Sequence, residues 1–179
     1  MKSFAEQAMF YRDYHQNKTN LYTHLIGVPL LILSSMIFLG FFRIISPNLF
    51  DISLAEIATL LMLAYYIFLN WRLGLMLIPI FLVLLWISAL ISYQGMTNFS
   101  VWFFIVIFVT GWTFQLIGHF IEGKKPAFLT NARQALVAPL FLIAEVCFML
   151  GFMPKLKTLL HGDPTIAPEA VVTPAEDIK

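Results

Sequence analysis

The sequence predicts an all-α, integral membrane helical bundle of about five transmembrane helices preceded by an amphipathic interfacial helix. Three observations lead there. Of 179 residues, 60% are hydrophobic and 12% charged, against about 25% charged in an ordinary soluble domain. Mean hydropathy is +0.83. The apolar residues are also gathered into long runs separated by short polar breaks, as a hydrocarbon core about 30 Å thick requires.

In chain order, Phe4, Ala8, Tyr11 and His15 recur at helical spacing and form one stripe of an interfacial helix. That helix is expected to stop around Asn17-Lys18-Thr19-Asn20, with Thr19 or Asn20 capping the first spanning helix and His24 in its first turn. The first apolar run follows mixed charges without a small-residue cleavage site, so no removable signal peptide is expected. The runs are Leu25 to Ile45, Ile52 to Leu69, Leu73 to Tyr93, Phe99 to Ile121 and Ala135 to Met153. Pro29, Pro79 and Pro139 lie within them and are tolerated in a membrane. Residues 1–157 read as a single transmembrane domain and 158–179, rich in proline and small or acidic residues, as a flexible tail.

Counting Lys and Arg in the loops puts Lys2, Arg12, Lys18, Arg72, Lys124, Lys125 and Arg133 on the N-terminal side, against Arg43, Lys155 and Lys157 on the other. The N-terminus is therefore expected to be cytoplasmic. A formal net charge of +1 excludes a nucleic-acid partner held by electrostatic excess. The lone Cys147 excludes an intrachain disulfide. There is no phosphate-binding glycine loop, GxSxG elbow or HExxH helix.

The polar chemistry gathers at one face. His24 opens the first span and His119 closes the fourth, so with His15 they share the cytoplasmic side. Glu122 follows His119 by three residues and projects from the same side if the helix persists. Two or three imidazoles with a carboxylate suit iron, zinc or manganese and leave coordination positions open. Blander readings stand beside this one. Interfacial histidines also hydrogen-bond, Glu122 is also a loop charge beside Lys124 and Lys125, and Asn20 is also a helix cap. Gln115, one turn before His119, either orients that ring or bonds a neighbouring helix. Glu145, inside the fifth run, marks a functional site or a structural pair. His161 is expected to be solvated on the opposite side.

At these residues the chain resembles a known family. The patterns Tyr11-x3-His15-x4-Asn20-x3-His24-x2-Gly27-x-Pro29 and Gln115-x2-Gly118-His119-x2-Glu122-x3-Pro126-Ala127 resemble the membrane 2-hydroxy fatty acid dioxygenases. Fungal members of that family act at the endoplasmic reticulum in the degradation of phytosphingosine, a sphingolipid base, to odd-numbered fatty acids. Ala138-Pro139-Leu140-Phe141 through Glu145 is similar to a third family pattern, and His161 matches none.

The resemblance implies Fe(II)-dependent α-oxidation, in which a 2-hydroxy fatty acid and dioxygen give the acid one carbon shorter and carbon dioxide, with no known need for 2-oxoglutarate. It implies His15, His24 and His119 as iron ligands and Glu122 as a fourth ligand or a base behind them. Asn20 and Gln115 would orient these groups, and Tyr11, Lys124 and Lys125 would hold the substrate carboxylate. The host membrane would be the bacterial inner membrane or the endoplasmic reticulum. Desaturases and hydroxylases carry many more histidines in HxxH-type clusters, and a haem would need axial histidines facing within the membrane. The remaining alternative is a non-catalytic lipid-binding or scaffold protein with structural histidines.

Overall fold

The computed structural model describes residues 4–12, 16–47, 50–124 and 133–162. His15 and Lys125, both expected site residues, lie outside the described residues, as does the tail beyond 162. The described elements are α1 (Phe4–Arg12), α2 (Lys18–Gly40), β1 (Arg43–Ser46), β2 (Phe50–Ser53), α3 (Leu54–Leu69), α4 (Trp71–Ser92), α5 (Asn98–Glu122), α6 (Arg133–Met149) and α7 (Pro154–His161).

The all-α expectation holds, with one small addition. The first span ends at Gly40, and the chain turns through an antiparallel hairpin in which Arg43 pairs with Ser53 and Ser46 with Phe50. Arg43 bonds Asp51 at 2.7 Å and lies over the Tyr93 ring at 5.1 Å. This is the hairpin end of the bundle. Ser53 and Glu56 then form a capping box that starts α3, because each satisfies a backbone N–H that the helix leaves free.

Among the described residues three helices, α2, α4 and α5, are long and apolar enough to cross a membrane, or four if the bent pair α6 and α7 counts as one span. With 16 residues, α3 is shorter, rising about 24 Å. Yet α3 must carry the chain the length of the bundle, because Gly40 and Ser92, at the ends of α2 and α4, lie side by side. Helices α2 and α4 are therefore parallel. Between α3 and α4 the turn is a single residue, Asn70, whose N–H bonds Tyr66 O and whose side chain accepts from Leu73 N.

The expected fifth span, Ala135 to Met153, is broken. Gly151 and Met153 take φ values of 82° and 55°, and Pro154 opens a new helix, so α6 and α7 meet at a bend of 115°. Left-handed residues followed by proline end a helix because the next N–H cannot continue its ladder. Contacts hold both parts of the bent pair beside α1 and the start of α4. Cys147 Sγ lies 3.5 Å from Met76 Sδ, near the start of α4. Met153 shares a surface cleft with Trp71 and Arg72, and Arg12 of α1 donates to the Leu160 carbonyl of α7.

Two earlier expectations change as a result. Lys155 and Lys157 belong to the same end as Arg12, Lys18 and Arg72, and not to the opposite one. His161 is exposed, as a solvated residue would be, but at this end and not at the far one. Its Nε2 pairs with Glu145 Oε1 at 2.7 Å, which gives the buried acid of α6 a structural partner and ties α7 to α6. Positions 157 and 158, at the expected start of the tail, lie within α7.

The start of the first span is also corrected. Asn17, not Thr19 or Asn20, caps α2, its side chain accepting from Thr19 N at 2.8 Å. Asn20 and His24 therefore sit within the helix, both buried, and His24 lies in the second turn. The stripe expected on α1 is real, with Phe4, Ala8 and Tyr11 buried, but it packs on α6 and α7.

A cysteine-labelling experiment tests this topology. In a Cys147→Ser background, Lys157→Cys and Lys18→Cys are expected to react with an impermeant maleimide from one side of the membrane, and Ile45→Cys from the other. Lys157→Cys labelling together with Ile45→Cys would show that the bent pair crosses.

Candidate functional site

The site is built where α2 and α5 cross antiparallel in closest contact. Gly118 makes that crossing possible. A Cβ there would stand 2.3 Å from Thr23 Oγ1, 2.4 Å from Asn20 Oδ1 and 2.9 Å from His24 Nδ1, so only glycine leaves room for those side chains. One level further along, a Cβ on Gly27 would lie 3.0 Å from Gly111 O and 3.1 Å from Gln115 Nε2.

At this separation the two helices bring their histidines together. His24 Nε2 and His119 Nε2 are 3.3 Å apart, and the rings meet edge to face with centroids 4.8 Å apart. Both are buried, at 1% and 8% exposure. His24 Nδ1 lies 2.9 Å from the Asn20 carbonyl. A carbonyl can only accept, so the neutral ring carries its proton on Nδ1 and turns the Nε2 lone pair towards His119.

The helix persists to Glu122, with Gly123 taking the left-handed cap at φ 69°, and the Glu122 carboxylate meets the start of α2. Oε1 accepts from Gln16 N at 3.0 Å, and Oε2 accepts from Asn17 N at 2.9 Å and Asn20 Nδ2 at 3.1 Å. A carboxylate at these free N–H groups meets the positive end of the α2 dipole. Asn20 thus joins both features: its carbonyl orients His24 and its amide holds Glu122.

The two imidazoles stand at the head of a cavity of about 410 Å³. One stripe of α2 lines it, His24, Val28, Leu31, Ser35 and Leu39, over about 22 Å of helix. Residues from α1, α3, α4, α5 and α6 close it, among them Tyr11, Met62, Phe81, Trp112 and Ala138. Gln115 lines it too, and its amide packs over Gly27 without bonding the His119 ring. Tyr11 is buried, its ring 4.8 Å from that of Phe141, and burial raises its phenol pKa above the usual value. The phenol is therefore a neutral hydrogen-bond donor. Lys124 is exposed and does not line the cavity.

The geometry accommodates a metal. Metal–nitrogen bonds of about 2.0–2.1 Å hold two ligand nitrogens about 2.8–3.0 Å apart at a right angle and about 3.3–3.4 Å apart at the tetrahedral angle. The 3.3 Å between the Nε2 atoms matches the second. Among the described residues no group of three or more His, Cys, Asp or Glu surrounds one point. The nitrogens that could hold a metal among the described residues are those of the histidine pair.

Sequence reading passed over Thr59, Tyr66 and Gln134, which also line the cavity. Thr59 and Tyr66 were visible as polar residues seven apart in an apolar run, hence on one helix face. What hid them was the absence of any charge or metal-ligating group.

Comparison with known proteins agrees with the motif. A family model described as "2-hydroxy-palmitic acid dioxygenase Mpo1-like" matches residues 1–150. The chain is similar to the "2-hydroxy-palmitic acid dioxygenase MPO1" of Saccharomyces cerevisiae, with 36% identity over 159 residues that cover 88% of this chain and 87% of the yeast protein. No solved structure matches.

Two substitutions test the local account. Gly118→Ala is expected to lower stability in detergent by about 1–3 kcal/mol through overpacking and to disorder the histidine pair. Glu122→Ala frees three donors, two of them open to water, and is expected to cost about 1 kcal/mol. Glu122→Gln, whose one oxygen can still accept from Asn17 N and Asn20 Nδ2, is expected to recover part of the melting temperature. A Glu122→Gln protein that melts like Glu122→Ala would contradict the anchoring role.

Proposed function

Because the chain belongs to the Mpo1-like family of 2-hydroxy-palmitic acid dioxygenases, we propose that it is an Fe(II)-dependent dioxygenase that shortens 2-hydroxy fatty acids by one carbon. The observation that carries this reading is the pair of Nε2 atoms 3.3 Å apart at the head of a long apolar cavity. Such a site meets both halves of an amphiphile, since a polar head needs donors and a metal while its chain needs apolar walls. The stripe of α2 is long enough for an acyl chain of one leaflet, about half of a 30 Å hydrocarbon core.

The chemistry balances without a further reductant. The C1–C2 bond of R–CHOH–COOH breaks, C2 becomes the new carboxyl and C1 leaves as carbon dioxide. Four electrons pass to dioxygen, whose oxygens end in the acid and in one water. His24 and His119 would hold the iron, with His15 as the third ligand implied by the sequence, and the iron would supply binding and activation of dioxygen.

The chain's other groups prepare that place. The Asn20 carbonyl keeps the His24 proton on Nδ1, so the lone pair stays on Nε2. Glu122 is a positioning residue that locks the start of α2 to the end of α5. Tyr11, a neutral donor in the cavity, hydrogen-bonds the substrate carboxylate, and Gln115 fixes the helix crossing over Gly27. The apolar lining excludes bulk water from the reacting carbon. Lys124, exposed and outside the cavity lining, takes no part in holding the carboxylate. The site faces the cytoplasm, since Arg12, Lys18, Arg72, Lys124, Lys155 and Lys157 share its end.

Metal analysis with oxygen uptake tests the proposal. Protein loaded anaerobically with Fe(II) in mild detergent is expected to retain near-stoichiometric iron and to consume oxygen with 2-hydroxypalmitate. His24→Ala and His119→Ala are expected to lose both. A wild-type protein that retains no metal and binds the acid without turnover would favour a lipid-binding scaffold instead.

A further inference from the structure

Among the described residues that line the cavity, Gln134, Tyr66 and Thr59 each carry a buried polar atom with no hydrogen-bond partner. Gln134, in the first turn of α6, and Tyr66, in the last turn of α3, both line it and are 4% and 0% exposed. Gln134 Oε1 and Tyr66 Oη have no hydrogen-bond partner. A buried amide or phenol left in this state carries its full desolvation penalty, and folded proteins seldom leave one so without a ligand or water to meet it. The ring of Tyr66 is fixed against Phe81, with centroids 5.7 Å apart at 73°, so its hydroxyl can only rotate. The Thr59 hydroxyl, also unpartnered, is less informative because it can turn to a carbonyl of its own helix.

Both groups lie towards the histidine end. Tyr66 stands one turn before Asn70, where α3 gives way to α4, and Gln134 opens the helix that follows α5. With the amide as it stands, Oε1 buried and unpartnered, a ligand satisfies both by accepting from the phenol and donating to the amide oxygen. An ionised carboxylate only accepts, and an acyl chain does neither. A hydroxyl beside a carboxylate does both.

We propose that Gln134 and Tyr66 read the substrate's head group, Gln134 accepting from the C2 hydroxyl and Tyr66 donating to the carboxylate, so that the cavity selects 2-hydroxy acids over plain fatty acids. The assignment rests on the fatty acid reading of the site given above. A plain acid leaves the Gln134 oxygen desolvated and unpaired, and sites built to bond a substrate hydroxyl reject analogues lacking it for that reason.

The test is competitive binding of 2-hydroxypalmitate and palmitate against a fluorescent fatty acid, using full-length metal-free protein in detergent so that no turnover occurs. Wild type is expected to prefer the hydroxy acid. Gln134→Met is expected to reduce that preference about tenfold while palmitate affinity stays unchanged, which a merely structural role would not produce. Tyr66→Phe removes one oxygen without disturbing the ring, so it keeps the proposal testable even if Gln134→Met misfolds. It is expected to weaken both acids alike by several-fold. An unchanged preference in folded Gln134→Met, or unchanged affinities in Tyr66→Phe, overturns the proposal. Preferential binding by a wild-type protein that never oxidises the hydroxy acid would defeat the dioxygenase reading and leave the head-group assignment standing.

Discussion

The contact between α2 and α5 at Gly27, Gly111 and Gly118 is the constraint on which the rest of this molecule depends. Lipid is as apolar as leucine, so helices in a bilayer gain little by hiding apolar surface from each other and associate through close packing and polar contacts. Small residues supply the first here. The second comes from Glu122, which reaches from the end of α5 to the free N–H groups of α2. Because the crossing is so close, a histidine on each helix suffices to bring two ring nitrogens to one point. Without it, His24 and His119 would face separate surroundings.

The same crossing leaves the other flank of α2 to line the cavity. Tyr11, His24, Tyr66, Gln115, His119 and Gln134 lie towards one end of that cavity, while the rest is mostly apolar, valine, leucine, isoleucine and methionine foremost, with Ser35 and Thr59 among them. This division matches an amphiphile lying along the helix with its head at the histidines. Helices α1, α6 and α7 complete the enclosure from the histidine side, held by the Arg12 contact to the Leu160 carbonyl and by the pairing of Glu145 with His161. An acid that would be costly within the membrane thus serves to fasten the closing layer.

Much of this was legible in the sequence. Helical periodicity and run length located α2 to α5, and the crossing parity of those helices put His24 and His119 on one face before any coordinates. What parity could not supply was the bend after Met149. A run of 19 apolar residues from Ala135 to Met153 satisfies the length rule, yet Gly151 and Pro154 break it, and a composition rule does not weigh two backbone angles. The misplacement of Lys155, Lys157 and His161 followed from that single error. Glu122 shows a different limit. Spacing from His119 predicts which face it occupies but not which neighbour its carboxylate meets, and that neighbour is a helix terminus 102 to 106 residues away in sequence. Tyr66 and Gln134 escaped notice because an unpartnered polar atom is a property of packing and leaves no pattern along the chain.

The central claim, that the histidine pair and its cavity cleave the head of a 2-hydroxy acid, is tested most directly by following the carboxyl carbon. With 2-hydroxypalmitate labelled with carbon-13 at C1, the account predicts labelled carbon dioxide and an unlabelled acid one carbon shorter, in equal amounts with the oxygen consumed. Label retained in the acid product, or unlabelled carbon dioxide, would contradict it.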